Sequence, residues 1–195
     1  MHRVIAMILF AAAPLHAQTI GVPAPDFALE SVAGGTVKLS QYRGKYVVLE
    51  WVNPDCPYVR KHYGSANMQK LQKEYTGKNV AWLTINSTRA GHPEYKQPAE
   101  MASWMKKMAA ASSATLLDPK GDAGRAYAAR TTPHMYIIDP KGVLVYAGGI
   151  DDKRSTDVED VKTAKNYVRA AMGDLLAGKS VTNATTQPYG CSVKY

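Results

Sequence analysis

The run Tyr46-Val-Val-Leu-Glu-Trp-Val52 opens directly onto Asn53-Pro-Asp-Cys56-Pro57, and that junction constrains the fold more than any other segment. An apolar run of this length, rich in branched and aromatic side chains, reads as a strand buried in a sheet. Pro57 starts an amphipathic stretch, and proline at the first helical position forfeits no hydrogen bond. The turn between strand and helix carries a thiol. Cys56 stands at or just before a helix N-terminus, where unpaired N–H groups and the helix dipole favour an anion. Arg60 and Lys61, one turn on, would add to this. Asp55 opposes it unless it points outward.

Further along, the same alternation continues. Gly21 to Phe27 is extended, because two prolines suppress helix before them. Thr36–Leu39 alternates as a short strand. A helix is expected over Pro57–Tyr75, a buried strand over Val80–Asn86, and a polar loop over 87–98. A helix over 99–111, a short strand at 115–117 and a short helix at 124–129 follow. His134–Asp139 and Val143–Ala147 form a hairpin across Asp139-Pro-Lys-Gly142, a turn sequence with a steric reason. A last helix over 157–177 stops at Gly178, and 179–195 reads as a polar tail. Strands alternating with helices predict an α/β fold: a central mixed sheet, parallel early and antiparallel late, with helices on both faces.

Residues 1–17 read as a secretory signal peptide: a basic start at Arg3, an apolar stretch from Val4, and Leu15-His16-Ala17 as a cleavage site. The remainder, 18–178, suits one domain, and no later segment is apolar enough for stable membrane insertion. The formal charge of +8 falls to +7 without Arg3 and is scattered over helical stretches. A scattered basic surface does not make the stripe that nucleic-acid binding requires. Export, in a bacterium to the periplasm, places the chain where its two cysteines can pair. The second cysteine, Cys191, lies near the end of the tail. A Cys56–Cys191 bridge is either structural, tying down the tail, or a working redox couple. One cysteine with His62, His134 and Asp55 is a poor metal set, and no metal or organic cofactor is expected.

Thr131-Thr132-Pro133-His134 precedes a strand, and a proline there calls for an edge position or a sharp return of the chain. With it, several motifs acquire a common meaning. Gly21-Val-Pro-Ala-Pro-Asp-Phe27, Leu39-Ser-Gln-Tyr-Arg-Gly-Lys45, Trp51 to Tyr58, and Thr131 to His134 before Ile137-Ile-Asp-Pro-Lys-Gly142 resemble the thioredoxin superfamily. The resemblance is to its redoxins, the alkyl hydroperoxide reductase/thiol-specific antioxidant group and exported relatives. It covers residues 20 to 178 and implies a thioredoxin-like fold, a cis bond before Pro133 and a reactive thiol at Cys56.

The chain departs from both common patterns of that superfamily. Where thioredoxins carry Cys-x-x-Cys, the first position here is Asn53. Where peroxiredoxins carry Thr-x-x-Cys after a proline, Asn53 replaces the threonine and Leu49 the proline. Two catalytic readings follow. In one, a Cys56 thiolate takes an oxygen from a peroxide, and Cys191 on a mobile tail resolves the sulfenic acid. Asn53, Arg130 and the backbone at 55–57 would polarise the peroxide. In the other, Cys56 attacks a protein disulfide and Cys191 resolves the mixed disulfide. Trp51, Pro57, Tyr58, Thr132 and Pro133 would then bind the substrate. Either cycle needs an external thiol reductant. The third reading is a non-enzymatic binding module with a structural disulfide.

Overall fold

The computed structural model describes residues 19–195. The expected signal peptide lies outside them. The strands are β1 (Ala28–Ser31), β2 (Thr36–Lys38), β3 (Val47–Trp51), β4 (Ala81–Asn86), β5 (Ala114–Leu117), β6 (Thr131–Thr132), β7 (His134–Ile138), β8 (Leu144–Gly148) and β9 (Cys191–Ser192). The helices are α1 (Pro57–Gly64), α2 (Asn67–Thr76), α3 (Pro98–Lys107), α4 (Asp122–Ala126) and α5 (Tyr167–Leu176), with single 3-10 turns at Leu39–Tyr42 and Glu159–Lys162.

Seven strands make one sheet in the order β2-β1-β5-β4-β3-β7-β8. β3, β4 and β5 pair in parallel, while β7 runs antiparallel beside β3 and β8 antiparallel beside β7. This is the mixed thioredoxin-like sheet, with β3 at its buried centre. Side chains alternate along β3 as the pleat requires. Val48 packs with α1, α2 and α5 against one face, and Val47, Leu49 and Trp51 pack with Tyr127 beyond α4 on the other.

Three expectations need correction. The helix over 57–75 is two helices. Ser65 turns its hydroxyl back onto the Lys61 carbonyl (2.8 Å), and Ala66 takes left-handed φ of 60°. The break re-phases the chain, so both α1 and α2 bury a face against the sheet. The helix over 157–177 shrinks to α5, because Asn166 caps it by accepting from the Arg169 amide (2.8 Å). The third concerns the tail, which is neither merely polar nor loose. Ala147 on β8 bonds Ala184 and Thr186 (3.0 and 3.2 Å), and Tyr189 is buried. Strand β1 was also unforeseen. Its Ala-Leu-Glu-Ser carries no strong strand signal, and it gains its place by pairing with β2 and β5.

Glu50 is fully buried in the middle of β3. Four donors converge on its carboxyl: the Tyr63 hydroxyl (2.8 Å), Trp82 Nε1 (2.8 Å), Gln72 Nε2 (3.1 Å) and the Thr84 hydroxyl (3.4 Å). Burial raises its pKa above the ordinary value, and the hydrogen bonds only partly offset this. A raised folded value means that the folded state holds the proton more tightly than the unfolded chain. Its stabilising contribution is therefore full below the ordinary glutamate pKa and declines as pH rises towards the raised value. We expect the stability difference between the native chain and Glu50→Gln to shift in favour of the variant with rising pH. Urea denaturation of both at several pH values reads this, and a pH-independent difference would refute it.

Candidate active site

After Trp51 the chain leaves the sheet in a tight turn built by Asn53. The Asn53 side-chain oxygen accepts from the Asp55 amide (2.9 Å), and its carbonyl accepts from the Cys56 amide (3.1 Å). Cys56 then caps α1 in extended conformation, with Pro57 as the first helical residue. The thiol is 1% exposed, and Sγ donates to the Thr132 carbonyl at 3.0 Å. The Thr132–Pro133 bond is cis.

Thr132 faces Cys191 on its other side, because β6 and β9 pair antiparallel in the register Thr132↔Cys191. The turn, the cis-proline loop and the tail therefore meet at two free thiols. The tail comes so near because residue 190 is glycine. A Cβ there would lie 2.0 Å from the Thr132 carbonyl oxygen, and Gly190 holds φ of 142°.

The thiols differ in surroundings. Cys56 is enclosed, whereas Cys191 is partly exposed. Burial pushes the Cys191 pKa up to about 12, the hydrogen bond and charge of Cys56 push the same way, Lys194 opposes, and Glu94 adds to the rise. Cys191 is therefore a neutral thiol at neutral pH. Glu94 comes from the loop between β4 and α3 and accepts from Asn53 Nδ2 (2.6 Å). The Asn53 amide is thus engaged with a carboxylate. Asp55 points outward and pairs with Lys96 (2.6 Å) and Arg60 (3.1 Å). Lys61 turns away from the sulfurs, to the Lys153 carbonyl (2.9 Å).

The remaining residues singled out by sequence divide clearly. Thr132 and Pro133 are buried at the site. Pro57 is exposed at the start of α1, and half-buried Tyr58 meets the Tyr189 ring edge-on at 5.8 Å. Trp51 is fully buried on the opposite face of the sheet, where its indole donates to Ser87 (3.0 Å) and its ring packs on Tyr127 and Tyr136. It does not share a groove with Tyr58 and Pro133. Arg130 lies beside the tail through its carbonyl, which accepts from Val193 (3.1 Å), and the residue is exposed. His134 Nδ1 accepts from the Arg130 amide (3.2 Å) and lies 2.9 Å from the Tyr136 hydroxyl, and burial lowers its pKa to about 3. It is a neutral, hydrogen-bonded strand residue. A cleft of about 810 Å³ borders the turn, with Pro54, Asp55 and Arg60 on one side and Lys96, Trp104 and Met108 on the other.

Sequence reasoning missed Glu94 and Tyr189. Nothing local marks Glu94 within its polar loop. Tyr189 carried one usable signal, an aromatic residue two positions before a cysteine in an otherwise polar tail.

A thiol at a helix N-terminus, backed by a cis-proline loop on this sheet, defines a thioredoxin-fold thiol oxidoreductase. The AhpC/TSA family model matches residues 20–147, and the chain belongs to that family. A thioredoxin-like protein of Bacillus subtilis, YneN, is 34% identical over 124 residues, covering 64% of this chain and 68% of that one. The mitochondrial thioredoxin-dependent peroxide reductase of Drosophila melanogaster is 28% identical over 158 residues, covering 73% of this chain and 63% of that one. An uncharacterised conserved protein from Geobacillus kaustophilus superposes with a TM-score of 0.79 at 28% identity, covering 91% of this chain and 92% of that one. The chain is accordingly an oxidoreductase, and the non-enzymatic reading is set aside. Among the described residues, no helix is long and apolar enough to cross a membrane.

Proposed function

We propose that the chain reduces peroxides through a two-cysteine cycle of Cys56 and Cys191. The observation that carries this reading is the meeting of both thiols across Thr132, with Cys56 at the helix N-terminus. The Cys56 thiolate attacks one peroxide oxygen. The O–O bond breaks, Cys56 becomes a sulfenic acid, and the other oxygen leaves as an alcohol or water after taking a proton. Cys191 sulfur then attacks the Cys56 sulfur. The S–O bond breaks, and the departing hydroxide takes the Cys191 proton and leaves as water. A dithiol donor returns two electrons and two protons, becoming a disulfide itself. The fly relative, a thioredoxin-dependent peroxide reductase, suggests thioredoxin as such a donor. Removal of residues 1–17 on export belongs to the same proposal.

One observation favours exchange with protein disulfides as the second reading. The Asn53 amide is spent on Glu94, and Sγ of Cys56 has a carbonyl, not a donor, as its hydrogen-bond partner. The deciding experiment mixes the fully reduced protein with hydrogen peroxide, quenches with a thiol trap over time and maps the products by mass. Rapid loss of the Cys56 thiol followed by a Cys56–Cys191 disulfide is expected. Slow oxidation of Cys56 alongside fast reaction with a peptide disulfide would replace the peroxide reading with exchange.

A further inference from the structure

Tyr189 is held by a buried polar cluster that the cysteine chemistry does not use. Its hydroxyl donates to Asp151 Oδ1 at 2.5 Å and lies 3.1 Å from His62 Nε2. Asn67 Nδ2, which can only donate, sits 3.0 Å from His62 Nδ1. His62 therefore carries its ring proton on Nε2, and the hydrogen bonds run one way: Asn67 to His62 to Tyr189 to Asp151. His62 is 0% and Asp151 1% exposed. Beside them Lys61, 1% exposed, lies 5.8 Å from the Tyr189 ring centroid.

Burying a lysine and a carboxylate is costly unless the geometry recovers the loss. Here the recovery is incomplete, since Asp151 Oδ2 accepts no hydrogen bond among the described residues. The arrangement does fix one thing. α1 carries Cys56 at its N-cap and His62 further along, and the tail carries Cys191 two residues after Tyr189. Tail and helix are joined at two points, one polar and one between sulfurs. The polar joint lies two residues before the tail strand that packs beside Cys56.

We propose that Tyr189 is a positioning residue that latches the tail over Cys56 by its hydroxyl, and that release of this latch admits the substrate. The proposal rests on Cys56 being the reacting thiol. A closed tail presents Cys191 to Cys56, and an open one exposes Cys56 to solvent. A hydrogen bond to a buried charged group is worth enough to shift such an equilibrium about ten- to a hundredfold.

The test uses the full chain in a Cys191→Ser background, where Cys56 is the sole thiol, and follows its modification by a polymer-tagged maleimide. Truncation after Gln187 removes the tail strand, leaves the contacts of Thr186 with β8, and gives the ceiling rate. Tyr189→Phe should modify about ten- to a hundredfold faster than its parent, approaching that ceiling. The rate should also be insensitive to low urea, as local opening requires and global unfolding does not. Should Tyr189→Phe fail to fold by circular dichroism, Asp151→Asn replaces it, with a several-fold acceleration expected. A parental rate in either variant beside a fast truncated chain would show that Tyr189 does not hold the tail. Parental rates throughout would show that the tail does not cover Cys56. The proposed cycle is tested separately, by disulfide formation in the native chain.

Discussion

Cys56→Ser is expected to reduce peroxide turnover to that of the uncatalysed reaction, whereas Cys191→Ser is expected to stop the cycle one step later. The difference follows from the two environments. Cys56 supplies the sulfur at the helix N-terminus, and serine there has no comparable nucleophile. Cys191, a neutral thiol paired in register with Thr132 beside Cys56, is placed to close the disulfide once Cys56 is oxidised. Cys191→Ser should therefore consume one equivalent of peroxide at close to the native rate, accumulate a Cys56 sulfenic acid and turn over no further. Trapping with a dimedone reagent and mass analysis reads the sulfenic acid directly. If Cys56→Ser still consumes one equivalent of peroxide while Cys191→Ser loses the first step, the roles are exchanged and Cys191 is the attacking thiol.

Gly190→Ala is expected to have the next largest effect, and through geometry alone. The added methyl would stand 2.0 Å from the Thr132 carbonyl oxygen and 2.6 Å from its carbon, both backbone atoms that cannot swing aside. Alanine also resists φ of 142°, at a cost of roughly 1–3 kcal/mol. The cheapest relief is for the strand at 191–192 to leave Thr131–Thr132, because that pair is short and peripheral to the main sheet. Closure of the Cys56–Cys191 disulfide should slow by at least about tenfold, the factor that corresponds to 1.4 kcal/mol. The far-UV spectrum should stay native. Closure at the native rate would mean that the thiols react from some other arrangement than this one.

These variants touch the parts of the site that differ most in how openly the sequence displayed them. Cys56 was legible, because a proline-flanked cysteine between a buried strand and an amphipathic helix has few other uses. The central strands were legible through continuous apolar runs, and the hairpin through Asp139-Pro-Lys-Gly142. The break at Ser65–Ala66 was not, since neither residue is a strong helix breaker and the sheet beneath decides the phase. The tail was least legible of all. Tyr189 meets His62 and Asp151 across 127 and 38 residues, and each of the three is unremarkable in its own stretch. Polar residues spaced along a terminus look solvated until the partners that bury them are known.

The course of the tail also bears on solubility. β8 is the last strand of the main sheet, and its outer backbone groups at Ala147 are paired by Ala184 and Thr186. An unprotected sheet edge invites a second molecule to add its own strand. The chain covers that edge with the same segment that carries Cys191. Damage to the segment upstream of Gln187 would therefore promote self-association as well as impair chemistry.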